Sequence, residues 1–215
     1  MLEGIFVEGL IYAIMALGVF FTFRILDFPD LTVDGSFPMG AVIMATSLTR
    51  GINPVAGLLL AFGGGVLAGF VTAAIHNRLK VPHLLAGILT MTMLYSVNIR
   101  ILDNRANLPL LRVDTIITHV TAATRGVIPA DWASLIFFAL VVLAIKFALD
   151  LFFHTDMGLV FGALGNNEQM VKVQGVNPAT LKLIGVGLSN GLVALSGAFA
   201  AQYQGFADVN LGQGI

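Results

Sequence analysis

This 215-residue sequence contains no cysteine, which excludes a disulfide framework and any thiolate chemistry. Charge is scarce. Asp, Glu, Lys and Arg make up 11% of the residues, where a soluble domain carries about 25%. That is too few to cover a surface facing water, so most of the surface must face lipid. The formal net charge is −1, and without a basic field nucleic acid is excluded as a partner. His76, His83, His119 and His154 are too far apart in sequence for a local metal motif, so no metal site is expected. A basic leader is also missing, because Glu3 and Glu8 are the only charges before Arg24. The first apolar stretch therefore reads as a retained helix rather than a cleaved signal.

Catalytic and nucleotide signatures are absent too. No Gly-x-x-x-x-Gly-Lys-Ser/Thr loop, Gly-x-Ser-x-Gly elbow or His-Glu-x-x-His motif occurs. Gly185-Val-Gly187 lies inside an apolar run and follows no strand, so it is not a dinucleotide fingerprint. No catalytic residue and no bound cofactor are expected on this chain, and any nucleotide-driven process it served would need its motor on another polypeptide.

What is present is apolar sequence, with 57% hydrophobic residues and a mean hydropathy of +0.92. A spanning helix needs about 20 mostly apolar residues. Segments 5–23, 54–75, 84–101, 132–153 and 183–201 meet or approach that length, and none alternates as a β-barrel strand would. In lipid the backbone must satisfy its own hydrogen bonds, so these are helices. The fold class is all-α: a polytopic transmembrane helical bundle in a single domain over 1–215, with one broken helix.

The broken element is 28–49. Residues 38–49 are too short to cross alone, and the preceding Leu26–Phe37 carries Asp27, Asp30 and Asp34 with Pro29 and Gly35 as breakers. Unwound backbone at membrane depth is tolerated only where protein buries it or water reaches it. One reading is a translocation pathway or ligand site at a helix break near Asp34 and Gly35. The other is an interfacial loop before a short re-entrant helix, with Asp34 capping a helix that begins near Ser36. Candidate pathway residues are Asp30, Thr32, Asp34, Gly35 and Ser36, with Asn190 in the last span.

Gly65/Gly69 and Gly187/Gly191 have the spacing that lets helices approach closely, in a tight bundle or at a subunit interface. Residues 102–131 carry mixed charge, including Arg112, Arg125 and Asp131, and fit a small extramembrane loop. In 154–182, Asn166 is placed to cap a helix over about 167–174, with Gln169 completing a capping box and Gly175 closing it. Asn177 and Pro178 then open another helix. Physics alone leaves 167–174 as either a plain surface helix or a docking element. All four lysines fall on the side of 154–182 and the acidic N-terminus on the other, which leans toward 154–182 being cytoplasmic.

These residues carry a resemblance. The runs Gly9–Gly18, Phe23–Ala41, Leu84–Met93, Gly158–Asn177 and Leu188–Asp208 resemble the permease subunits of ABC importers of the branched-chain amino acid type, within them the subgroup labelled as tryptophan/tyrosine importers. The resemblance covers nearly the whole chain. It implies an inner-membrane, multi-pass permease surrounded by lipid and paired with a second permease subunit as a homodimer. It also implies a cytoplasmic ABC ATPase dimer, with ATP bound there, and an extracytoplasmic solute-binding protein. The solute would be an amino acid, aromatic or branched-chain, or a related small molecule. It further implies that 167–174 is the ATPase coupling helix, with Asn166, Asn167, Glu168, Met170, Val171, Val173 and Gly175 forming or supporting the contact. Gly162 departs from the basic residue such a loop would carry, and relatives continue beyond Ile215, so the sequence is expected to be C-terminally truncated. The rival functions are an ion-coupled secondary transporter or channel using Asp30 or Asp34, and a membrane scaffold without transport.

Overall fold

A computed structural model of the chain describes residues 2–111, 113–124 and 129–211. Arg112, Arg125, the side chain of Asp131 and the end of the chain at Ile215 lie outside the described part.

The chain is helical almost throughout. α1 (Leu2–Phe20) runs into a π-helical turn (Phe21–Ile25), followed by α2 (Val33–Thr49), α3 (Pro54–Leu79) and α4 (His83–Ile101). A three-residue strand β1 (Asn107–Pro109) and a short α5 (Ile116–Ala123) precede α6 (Ala130–Phe153). Then come α7 (Asp156–Asn166), α8 (Glu168–Val173), α9 (Pro178–Gln204) and strand β2 (Phe206–Asp208). Among the described residues, five helical segments are long and apolar enough to cross a membrane. α2, with 17 residues, rises about 25 Å, short of a hydrocarbon core of about 30 Å.

Helix boundaries follow capping chemistry. Asn53 and Asn177 accept hydrogen bonds from the backbone of Val55 and Ala179, and Pro54 and Pro178 follow them at the first helical position. Gly205, at φ +77°, ends α9 in the left-handed conformation that suits glycine.

α9 is the centre of the bundle. Of its most apolar stretch 78% is buried, against 6% for Trp132–Phe153 of α6, which therefore presents an almost wholly apolar outer surface. α9 packs on α1, α2 and α3. Ser189 and Ser196 donate to the carbonyls of Gly18 and Ile11 at 2.6 and 2.7 Å, so the α1–α9 seam is pinned by hydroxyls at two levels. The small-residue pairs meet each other inside the chain. A Cβ on Gly65 or Gly69 would collide with the α9 backbone at Asn190 and Val186, and one on Gly187 or Gly191 would strike Phe70 or Phe62 of α3. They thus serve the bundle core rather than a subunit interface. Between α2 and α9 the approach is equally close, at Gly40 over Ala194 and Gly197 over Phe37.

Three local features depart from the sequence reading. The strands β1 and β2 pair antiparallel, Leu108 opposite Ala207, and help cover the end of α2 near Leu48. α7 was not anticipated, and it extends the helical part of the connection back to Asp156, capped by the Thr155 hydroxyl. The break between α1 and α2 falls at 26–32, before Asp34 and Gly35, which already lie in the first turn of α2. The cause is local: Asp27 adopts φ +49°, Pro29 follows, and the Asp30 carboxylate takes the Thr32 N–H at 2.8 Å, so the helix restarts at Val33. Asp34 therefore caps nothing near Ser36.

Candidate functional site

Four of the pathway candidates form one buried polar knot. Asp30, Thr32, Ser36 and Asn190 are fully buried, together with Thr72 of α3. Asp30 Oδ1 accepts from the Thr32 backbone, and Asp30 Oδ2 accepts from Asn190 Nδ2 at 2.6 Å. Asn190 Nδ2 also donates to the Val186 carbonyl, and Asn190 Oδ1 bonds the Ser36 hydroxyl. Thr32 and Thr72 share a 2.7 Å hydroxyl bond. Gly87 of α4 lies against the same loop, where a Cβ would stand 2.8 Å from the Leu31 nitrogen. Every acceptor on Asp30 is occupied by protein, so the knot locks the break loop to α2, α3, α4 and α9.

Asp34 and Gly35 face elsewhere, toward α4. With Pro38, Met91, Tyr95 and Asn98 they line a pocket of about 220 Å³. Gly35 permits the close approach, since a Cβ there would stand 3.0–3.1 Å from Leu94 and Met91. Its carbonyl accepts from Asn98 Nδ2 at 3.3 Å. That bond fixes the amide orientation, because a carbonyl only accepts. Asn98 Oδ1 is then left buried without a partner. Asp34 is half-buried, and none of the hydrogen bonds or ion pairs among the described residues involves its carboxylate. Pro38 has no N–H, so the Asp34 carbonyl cannot take the usual helical bond from the residue four positions on.

α8 stands at the end of the bundle from which α9 starts. Its cap is Asn167, whose side chain accepts from the Met170 N–H at 3.0 Å; the expected cap, Asn166, instead belongs to α7 and donates back to the Gly162 carbonyl. Asn167 takes this role because its backbone is extended (φ −157°, ψ 97°), separating the two helices. Gly175, at φ +86°, closes α8, with Val176 N–H reaching the Val171 carbonyl and Gly175 N–H the Lys172 carbonyl. Met170 and Val173 are exposed, at 52% and 88%, whereas Val171 is 1% exposed and packs inside the chain against Phe161, Leu164 and Leu181. Val171 is therefore not on the outer face expected for it. Glu168 pairs with Lys182 of α9 at 2.8 Å, and the Lys182 ammonium holds the Glu168 carboxyl below its usual range, against a smaller opposing effect of partial burial. His76 and His83, seven positions apart at the end of α3 and the start of α4, meet nearby with ring centres 4.1 Å apart. Among the described residues no three metal-ligating side chains come together.

A family of permease components of branched-chain amino acid transport systems matches the chain over residues 1–215. The chain belongs to this permease family. It is 42% identical over 211 residues to a tyrosine transport system permease protein of Clostridioides difficile, covering 98% of this chain and 68% of that protein. It is 31% identical over 208 residues to an uncharacterized protein of Rickettsia prowazekii, covering 97% and 70%. A more distant relative is the autoinducer 2 import system permease protein LsrC of Photorhabdus luminescens, at 26% over 188 residues, covering 86% and 54%. No solved structure matches the chain at a significant level.

For a permease, the contrast between the two aspartates matters. Asp30 is consumed by the fold. Asp34 sits in the first turn of α2 with no protein donor among the described residues, and a carboxylate facing lipid at the bilayer centre would cost about 2.5–3.5 kcal/mol. Thr72, Tyr95, Asn98 and Lys182 were not singled out from the sequence. For Asn98 a signal existed: it is the lone amide in the apolar run 84–101. For Thr72 the signal was weaker: it is the one threonine in the apolar run 54–75, but its partner Thr32 lies forty positions away.

Proposed function

We propose that the chain is the membrane-spanning permease subunit of an ATP-driven ABC importer for an amino acid or a related small solute. It would lie in the inner membrane beside a second copy of itself, with a cytoplasmic ATPase dimer below and an extracytoplasmic solute-binding protein above. The observation that carries the reading is α8: a doubly capped helix that presents Met170 and Val173 outward while Val171 and the Glu168–Lys182 pair fasten it to the bundle. A free surface helix gains nothing from two exposed apolar side chains; a docking helix does, at about 1.5–3 kcal/mol for each one buried.

The connection from α8 to the pathway is short. α9 begins at Pro178, four residues after Gln174, and rises past α1, α2 and α3. Along it sits Asn190, which grips the break loop through Asp30. Movement of α8 by an ATPase is thereby transmitted as movement of α9 and of the loop ahead of α2, which opens the bundle to one side and then the other.

Reconstitution tests this. Uptake into proteoliposomes by the permease should require the ATPase, ATP and the binding protein. Uptake driven by an ion gradient with the permease alone would replace this reading by an ion-coupled transporter. In intact cells, a cysteine at Gln169 should resist an impermeant thiol reagent that labels one at Asp114, both positions being exposed; the reverse pattern would overturn the orientation.

A further inference from the structure

We infer that the pocket between α2 and α4 seats the ammonium end of an amino-acid-like solute, with Asp34 and Asn98 as the recognising residues. The inference rests on the importer reading above and adds to it a site and a chemistry.

The argument starts from what is unsatisfied. Asn98 is fully buried and its Oδ1 has no partner, while its Nδ2 is held by Gly35. Across the pocket, Asp34 offers a carboxylate with no donor among the described residues. A buried polar atom without a partner is rare, and Asn98 Oδ1 marks a place where something else supplies the missing bond, while the half-buried Asp34 carboxylate on the same pocket is a second acceptor open to a donor. Both atoms are acceptors, so that partner must be a donor, and beside a carboxylate it should be a cation.

The rest of the wall decides which cation. Met91, Pro38 and Val209 are apolar, Tyr95 adds an aromatic ring, and Thr92 spends its hydroxyl on the Ile88 and Leu89 carbonyls. Hard metal ions take about six or more oxygen ligands, which these walls do not hold. A primary ammonium needs only two or three acceptors. At about 220 Å³ the pocket is several times the ~30 Å³ share of one water, so it has room for a body attached to that ammonium. An apolar or aromatic side chain against Met91 and Tyr95 fits the lining. A neutral sugar would leave Asp34 uncompensated.

The test uses the permease assembled with its ATPase and binding protein in proteoliposomes, with radiolabelled L-tyrosine, L-tryptophan, L-leucine and D-ribose as probes. We expect uptake of at least one of the amino acids. Asp34→Asn should slow it about tenfold or more, equivalent to ~1.4 kcal/mol, while co-purification with the ATPase is unchanged. The double variant Asp34→Asn/Asn98→Asp moves the carboxylate to the facing wall and should recover part of the uptake. Should either variant fail to assemble, Tyr95→Cys in this cysteine-free chain gives a separate readout: L-tyrosine should slow its modification by a small thiol reagent, and 3-(4-hydroxyphenyl)propionate, the same ring without the ammonium, should not. Wild-type uptake by Asp34→Asn, equal protection by both compounds, or transport of ribose but of no amino acid would each overturn the site while leaving an importer. Uptake without the ATPase would overturn the importer, and the Tyr95→Cys protection would still judge the site.

Discussion

Asn190, near the middle of α9, donates its side-chain amide to the buried carboxylate of Asp30 at 2.6 Å, tying the central helix to the loop between the π-helical turn and α2. Losing one partner of such a pair strands the other, and a buried charged acceptor left short of a donor costs about 1–3 kcal/mol or more. Asn190→Leu should therefore lower the thermal midpoint and the yield of purified permease. Asp30→Asn should cost less, since an amide oxygen still accepts from Thr32. A neutral outcome for Asn190→Leu in a melting assay would show that the knot is dispensable.

Glycine positions give a graded test of packing. Gly40→Ala places a methyl on the Ala194 backbone, whereas Gly63→Ala meets nothing within 4 Å. The first should destabilise by about 1–3 kcal/mol or prevent assembly, and the second should be neutral or slightly stabilising. Size-exclusion profiles and melting midpoints of the two variants check this directly.

On α8, neighbouring side chains should separate two effects. Met170→Asp with Val173→Asp alters only exposed positions, so the permease should fold and insert normally but lose its ATPase during co-purification and lose ATP-driven uptake. Val171→Asp buries a charge against Phe161 and Leu181 and should instead abolish folded protein. Normal uptake by the double variant would make α8 an ordinary surface helix.

Capping should set the order of α8. Short helices are marginal because nucleation is costly, so Asn167→Ala should cost about 0.5–2 kcal/mol locally. Amide exchange over 168–173 should quicken in that variant, while Asn166→Ala, which removes only a bond back to Gly162, leaves the rate nearly unchanged.

The Glu168–Lys182 pair carries a pH dependence of known sign. Lys182 depresses the Glu168 carboxyl, so the pair's contribution is complete above the ordinary glutamate range and is lost as pH falls through the depressed value. The Glu168 side chain is 54% exposed, which limits the effect to about 0.2–1 kcal/mol. Exchange over α8, corrected for the intrinsic pH dependence of amide exchange, should therefore be flat near neutrality and rise modestly in acid, and Glu168→Gln should remove that rise.

The sequence by itself determined the spans. Thickness of the bilayer fixes how long an apolar run must be, and the lack of water there forces each run to close its own hydrogen bonds. Segments such as 54–75 and 132–153 are thus legible one at a time, and their helices in fact run 54–79 and 130–153. Caps are also local, which is why Asn177, Pro178 and Gly175 could be read directly, although the choice between Asn166 and Asn167 turned on a backbone angle that composition does not carry.

What only the tertiary structure decided was which polar groups find each other. Asp30 and Asp34 are four residues apart in one polar run, yet one is satisfied by Asn190 on α9 and the other opens into a pocket with Asn98 on α4. Lipid is as apolar as leucine, so hydropathy says nothing about lateral packing; helix contacts in a membrane depend on shape, at places such as Gly65 against Asn190. Contacts such as Asp30 with Asn190 join residues more than a hundred positions apart, and only the folded chain brings them within a hydrogen bond.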